Sequence, residues 1–481
     1  MPYVQIYAFF RQNAIFNRFL AFDIKAYFYV MIEEKTAFFA LPKKIWWLLL
    51  FSFIIRILIF VRFQPWNDLV VQKQILIFDS LGYHNLALCI KDYFTFCGDA
   101  FRTPGYPFFV SVIYAIFGSQ PYTAIFVQIF LNLISIVLLY KIGKELFSEK
   151  AGFIAAILFS LDLHHTIYIY YILTETIYTT VFLAALLFYV KAIKTSSIRF
   201  FILTGIIYGI STLIRPISQY YIAGIFLFTL MWYFKNWKNG IKVSAILIVA
   251  YFVAIAPWCL RNYSEFNHFA LSNIKGYNLL FWNASYYESK RLKQPIDSVN
   301  ANFKIELEKM GWTPNSNPFD KEKYDGELAN KILKAHFTDY LKTHLIGTLK
   351  IHLSVGTQSL TEVLHIPAKK FSEEDKYNKG VVALIKKFFA EKTIYEVLLG
   401  LFVAVFLAIV YFFAALGIWR MIKEKQTLLM LFLLGSAGYF ALISGIISYA
   451  RYRLPSMPFY ILLASVGIVW WLNRKSIVDS R

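Results

Sequence analysis

Long apolar runs alternate with short basic stretches over most of the chain. The first run covers about 45–62 and carries Arg56 in its middle; an arginine at such depth either turns to the bundle interior or snorkels outward. Further runs lie at about 122–140, 152–171, 174–190, 200–214, 217–234, 241–260, 397–418, 427–446 and 456–472, each near the ~20 residues that cross a bilayer. The pattern predicts an all-α polytopic membrane protein of about ten transmembrane helices. It also predicts four segments. Residues 1–43 are cytosolic or interfacial, unless translation begins at Met31. A membrane core covers 44–261, with a first outer loop over 63–121. An outer loop or subdomain covers 262–395, and further membrane helices with a cytosolic tail cover 396–481. Within the subdomain, 326–353 has apolar residues near helical spacing, which predicts one amphipathic helix lying on the membrane.

Composition agrees with the pattern. The 481 residues are 58% hydrophobic and 16% charged, against about 25% charged in soluble domains. The net charge of +20 has its simplest source in Lys and Arg of cytosol-facing loops, so no nucleic-acid partner is expected. Alternate short loops are basic: Lys141, Lys144 and Lys150; Lys191, Lys194 and Arg199; Lys235, Lys238 and Lys242; Arg420, Lys423 and Lys425. Both termini are therefore expected in the cytosol, and the loop carrying Asp79 outside. In a bacterium that side is the periplasm or exterior, with the inner membrane the expected location; in a eukaryote it is the lumen of the endoplasmic reticulum.

That orientation places several arginines where the charge rule disfavours them. Arg215, Arg261, Arg451 and Arg453 fall at outer ends of spans, and Arg102 joins them from the first loop. Guanidinium groups hold phosphate bidentately and stay charged, so the set suggests a phosphate pocket at the outer membrane face; each alone could equally snorkel to headgroups. Acids on that face are few: Asp79, Asp99, Asp162 and Glu175. A carboxylate beside cationic groups stays ionised and can take a proton from an attacking hydroxyl. Asp79 is the first candidate, against the alternative that it caps the helix beginning LGYHNLA. Asp162 and Glu175 could support it, cap helices or pair with an arginine. His164 and His165 invite a metal, but adjacent helical residues point about 100° apart, so no metal site is expected from them. Cys89 and Cys97 either pair in the outer loop or stay as thiols. Asn262 and Asn283 begin glycosylation sequons, which matter only in a secretory setting. Pro-Gly-x-Pro at Pro104–Pro107 predicts a rigid turn with a left-handed glycine.

Taken in order, these motifs resemble a family. Asp79, Tyr83 and Ala87, then Arg102–Pro107, Leu173–Glu175, the glycine-spaced run Gly205–Pro216, Pro257–Asn262 and Arg451–Pro458 are similar to motifs of GT-C membrane glycosyltransferases. The branch is the one holding protein O-mannosyltransferases and aminoarabinose transferase-like proteins. The resemblance covers about 44–285 and 396–472. It implies an inverting transferase that moves a sugar from a polyprenyl-phosphate donor to a hydroxyl or phosphate on a lipid, glycan or protein acceptor. It further implies Asp79 as the catalytic acid of the first loop, Tyr83 as a supporting residue, and the arginine set as the donor phosphate site. It implies no certain cofactor, although a divalent cation could assist. A single acid at Asp79, where the mannosyltransferases carry an adjacent pair, argues against a protein mannosyltransferase proper. Two rivals stand beside it: a transporter or flippase of a lipid-linked anion, which would need the same outer arginines, and a lipid-linked oligosaccharide ligase, which would not require Asp79 in its D-x-x-x-Y setting.

Overall fold

Each apolar run becomes a helix because a bilayer offers the backbone no other hydrogen-bond partners. The computed structural model describes residues 41–313, 316–367, 392–446 and 449–478, so the expectation for 1–30 lies outside the described residues. The chain divides into two units, 1–51 and 52–481. The described part of the first is the opening of helix α1, Lys43–Phe63. Thereafter come α2 (Asp79–Tyr93), α3 (Gly105–Phe117), α4 (Pro121–Leu146), α5 (Glu149–Leu161), α6 (Leu163–Ile167), α7 (Glu175–Thr195), α8 (Ile198–Ile214), α9 (Tyr221–Trp232) and α10 (Trp237–Phe266). The outer cluster holds α11 (Ile274–Tyr277), α12 (Ser285–Leu292), α13 (Ile296–Lys309), α14 (Pro318–Ala335), α15 (Phe337–Leu353) and α16 (Thr357–Val363). Helices α17 (Ile394–Lys423), α18 (Thr427–Ser444) and α19 (Met457–Val478) follow. No strand occurs among the described residues.

The chain is thus an all-helical integral membrane protein. By length and composition 6 helices can cross a membrane, or 7 if α5 and the segment from α6 to Tyr170, bent by 60°, form one span. The expected runs at 200–214 and 217–234 become α8, of 17 residues, and α9, of 12. Arg215 and Pro216 cause the break: the backbone before the proline is extended, φ −146° and ψ 113°.

Small residues let the helices approach. At Gly205 and Gly209 of α8 a Cβ would run into Leu247, Ala250, Tyr251 and Ala254 of α10, which accounts for the glycine spacing of the motif. Arg56 is buried and turned inward: its Nε donates to Asn132 Oδ1 at 2.8 Å and its Nη2 to Thr166 at 3.2 Å.

Outside the bundle, Leu280, Tyr287, Val299, Phe303, Leu307, Leu328 and Leu333 build a separate apolar core. The single helix expected over 326–353 is two helices, α14 and α15, broken at His336 (φ −128°, ψ 36°). Leu328, Ala329 and Leu333 point into the outer core, whereas Phe337, Leu341, Leu345, Leu349 and Leu353 are exposed. The two apolar faces serve different surroundings, and the break lets them turn apart.

Candidate active site

Asp79 opens α2, immediately after Phe78, whose φ is +47°. Phe78 is the cap residue and offers no side-chain hydrogen bond, so the capping alternative for Asp79 is not what forms. The Asp79 carboxylate is instead half exposed, 3.5 Å from Arg451 Nη1.

Arg451 joins Asp79 to Glu175. Its Nε donates to Glu175 Oε1, and Arg215 Nη1 donates to the same oxygen at 2.9 Å. Glu175 is only 2% exposed and heads α7. Two guanidinium groups therefore flank one buried carboxylate, with a second, accessible carboxylate also beside Arg451. Burial disfavours the Arg451 charge, but the Glu175 carboxylate more than offsets this and raises its pKa.

A second cluster supports the loop. Asp99 Oδ1 accepts from the backbone N–H of Phe101 at 2.5 Å and of Arg102 at 2.9 Å, while Arg102 Nη1 lies 3.4 Å from Asp99 Oδ2. Arg261 Nη1 donates to the Asp99 carbonyl at 2.9 Å, and its guanidinium packs over Trp258 at 4.8 Å and Phe266 at 5.2 Å. Arg102 reaches back over the Tyr83 ring at 5.4 Å, one turn along α2 from Asp79. Gly82 makes this possible, since a Cβ there would collide with the guanidinium. Burial, and then the Asp79 carboxylate, push the Tyr83 phenol up to about 12, so it stays neutral.

Gly105 has a role other than the expected left-handed turn. It begins α3, and a Cβ would fall 2.8 Å from Ile214 N and 2.9 Å from the Leu213 carbonyl carbon. The first loop can thereby press on the end of α8 that presents Arg215. Cys89 and Cys97 form a disulfide across the turn after α2, with Cα atoms 6.2 Å apart.

Two expected residues do not join this site. Arg453 is buried, and its Nη1 donates to the carbonyls of Ile351, His352 and Ser354 at 2.7–3.2 Å. Its Nη2 lies 3.3 Å from His164 Nδ1. Such a guanidinium is a clamp between α15 and the turn before α19, with its donors committed to backbone. Asp162 caps α6 through the N–H groups of His164 and His165, and accepts from His165 Nδ1 at 2.9 Å. Among the described residues no group of three or more His, Cys, Asp or Glu could hold a metal. Asn262, of the first sequon, is buried and donates to the Ala270 carbonyl at 2.8 Å.

Sequence inspection missed Gln128. Its Nε2 donates to the carbonyls of Ile169 at 2.7 Å and Tyr171 at 3.0 Å, and its Oε1 accepts from Tyr106, which stacks edge-on with Tyr83. A lone glutamine inside an apolar run was the available signal.

Comparison with known proteins places the resemblance on firmer ground. Residues 102–260 match the family described as dolichyl-phosphate-mannose-protein mannosyltransferase. The resemblance to GT-C membrane glycosyltransferases, first seen in the motifs, is found again there. No curated protein matches the chain. Among solved structures it is similar to the oligosaccharyltransferase AglB from Archaeoglobus fulgidus in complex with an inhibitory peptide and a dolichol-phosphate. That match has 14% identity and a TM-score of 0.46, covering 90% of this chain and 51% of that one. The apo form of the Archaeoglobus fulgidus enzyme matches at 16% identity and a TM-score of 0.47, covering 90% and 51%. ArnT from Cupriavidus metallidurans in the apo state matches at 12% identity and a TM-score of 0.36, covering 88% and 76%. The chain thus spans about half the length of the oligosaccharyltransferase. No chemistry of this chain follows from likeness at that level.

Proposed function

We propose that the protein is an inverting glycosyltransferase that takes a sugar from a polyprenyl-phosphate donor on the extracytoplasmic face of the membrane. The observation that carries the proposal is the shared guanidinium: Arg451 touches both the accessible Asp79 and the buried Glu175, which in turn holds Arg215. An acceptor hydroxyl attacks the anomeric carbon while Asp79 takes its proton. The bond from that carbon to the phosphate oxygen breaks, and the electron pair leaves on polyprenyl phosphate. The departing phosphate is a good leaving group and needs cationic stabilisation more than a proton, which Arg451, Arg215 and Arg102 can supply. Glu175 keeps Arg451 and Arg215 in place before the donor arrives. Arg261 holds the loop through the Asp99 carbonyl, and Arg453 has no part in phosphate binding. One displacement by one base inverts the anomeric centre.

The Cys89–Cys97 disulfide supports an outward first loop, because such bonds persist in oxidising compartments. Against a transporter, Asp79 and Glu175 are engaged at the ends of helices, at the outer side in this topology, and not midway along broken spans. The experiment is a transfer assay with purified protein in lipid nanodiscs. Radiolabelled polyprenyl-phosphate sugars and nucleotide sugars are offered in parallel, with lipid, glycan and peptide acceptors. Transfer from a polyprenyl-phosphate sugar alone is the expected result. Transfer only from nucleotide sugars, or transport of the lipid without transfer, would overturn the proposal.

A further inference from the structure

A cavity of about 310 Å³ lies between the first outer loop and the outer helices, lined by residues that the Asp79 site does not use. Its volume is at the lower end of the range for small-molecule sites, about 300–1,000 Å³. Phe101, the residue before Arg102, closes one side and meets Tyr277 edge-on at 5.2 Å; Tyr277 meets Phe281 at 4.9 Å. Trp312 adds a further aromatic face, with the Lys321 ammonium 5.5 Å from its ring centre. The loop is tied to this wall through the backbone, since Asn273 N donates to the Ala100 carbonyl at 3.1 Å.

The polar side is what marks the cavity as a site. Asp325 lines it from α14, and the residue is only 7% exposed. Among the described residues the carboxyl makes no hydrogen bond or ion pair. Burial, and then the neighbouring Glu322 carboxylate, push it up to about 6, with Lys321 opposing. A buried polar atom without a partner is costly, and Asn273 Oδ1, which lines the same cavity, is one. Two carboxylates, Asp325 and Glu322, and two ammonium groups, Lys304 and Lys321, line the same space. Their charges balance, so the cavity favours neither an anion nor a cation. Aromatic faces beside an unpartnered acceptor suit a neutral ligand with hydroxyl groups on its edge and C–H groups on its faces.

We infer that this cavity binds a neutral sugar residue of the acceptor, with Asp325 accepting its hydroxyl hydrogens and Trp312, Tyr277 and Phe281 packing on its apolar faces. The inference rests on the transferase proposal for the word acceptor, and on the cavity alone for sugar binding. The donor phosphate is assigned to Arg451, Arg215 and Arg102, so the cavity is left for the other substrate. Its Phe101 wall, adjacent to Arg102, connects occupancy to the catalytic loop.

The test uses the full chain in nanodiscs and titrates methyl glycosides of mannose, glucose and galactose while tryptophan fluorescence is followed. At least one glycoside should give a saturable change that is lost in Trp312→Phe, and Asp325→Asn should weaken that binding about tenfold or more. If Asp325→Asn does not accumulate, Phe281→Ala provides the same comparison. Asp79→Asn should bind the glycoside normally while losing transfer, which separates failure of this inference from failure of the transferase proposal. In the transfer assay Asp325→Asn should raise the acceptor KM with kcat little changed. The inference is overturned if no glycoside gives a saturable change. It is equally overturned if the change survives in both variants, or if methylammonium or inorganic phosphate binds there in place of the glycosides.

Discussion

At the scale of single residues, the decisive contrast is between Arg451 and Arg453. Both stand in one basic turn, and the sequence treats them alike. In a 3₁₀ turn of three residues per revolution, side chains two positions apart point about 120° away from each other. Arg451 therefore reaches Asp79 and Glu175, while Arg453 turns to the carbonyls of α15. Which of the two faces the site depends on neighbours distant in the chain, so the pairing was not legible, although the place of both just before the last helix was. Glu175→Gln should show the cost of disturbing this arrangement. It leaves two partly buried guanidinium groups facing a buried neutral amide, and breaking a buried pair costs up to about 3–5 kcal/mol. A clear fall in thermal stability in detergent is expected, and Glu175→Gln with Arg451→Met should recover part of it without recovering transfer. Arg453→Met should reduce stability through the lost carbonyl bonds, yet leave the donor KM of the surviving protein unchanged; steady-state kinetics on the folded fraction checks this.

At the scale of elements, apolar periodicity located the helices well because bilayer burial is a property of sequence-local composition. It failed where one periodic stretch served two environments, as at His336 between α14 and α15. The Asp325 cavity was invisible for a related reason: Phe101, Tyr277, Trp312 and Asp325 are far apart in the chain. Asp325 also carries a pH signature. Its native pKa of about 6 exceeds the ordinary carboxyl value of 3.8, so the unfolded chain releases this proton first as pH rises. Its contribution to stability is then full below about pH 4 and is lost as pH rises through about 6. Glu322, raised in the same direction, adds to this, while Lys321 opposes it. Asp325→Asn should melt higher than wild type at pH 8 and not at pH 4, as measured by thermal unfolding. On α2, removing the Cys89–Cys97 bond by double serine substitution should destabilise the first loop. The chain-entropy model puts the loss near 2.5 kcal/mol for so short a loop, readable as faster hydrogen exchange over α2.

At the scale of the whole molecule, the account depends on which side of the membrane the loops occupy. Cysteine labelling can read this cleanly, since Cys89 and Cys97 are bonded and Cys259 is buried. A membrane-impermeant maleimide should label Lys293→Cys, between α12 and α13, in intact cells. It should label Ser148→Cys, between α4 and α5, only after permeabilisation. The alternating basic loops are what this expectation rests on. The candidate site was readable only as a set of arginines and a shortlist of acids, because convergence of the first loop, α7, α8 and the turn before α19 is a tertiary fact.

The most direct measurement is single-turnover transfer by Asp79→Asn beside wild type, with polyprenyl-phosphate sugar saturating and donor binding measured in the same preparation. If Asp79 is the base, transfer falls by about 10²–10⁴-fold while donor affinity and melting temperature stay close to wild type, because Arg451 and Arg215 remain. Transfer within about threefold of wild type, from protein that binds donor normally, would contradict the account and shift the search for the base to another group at the Arg451 site.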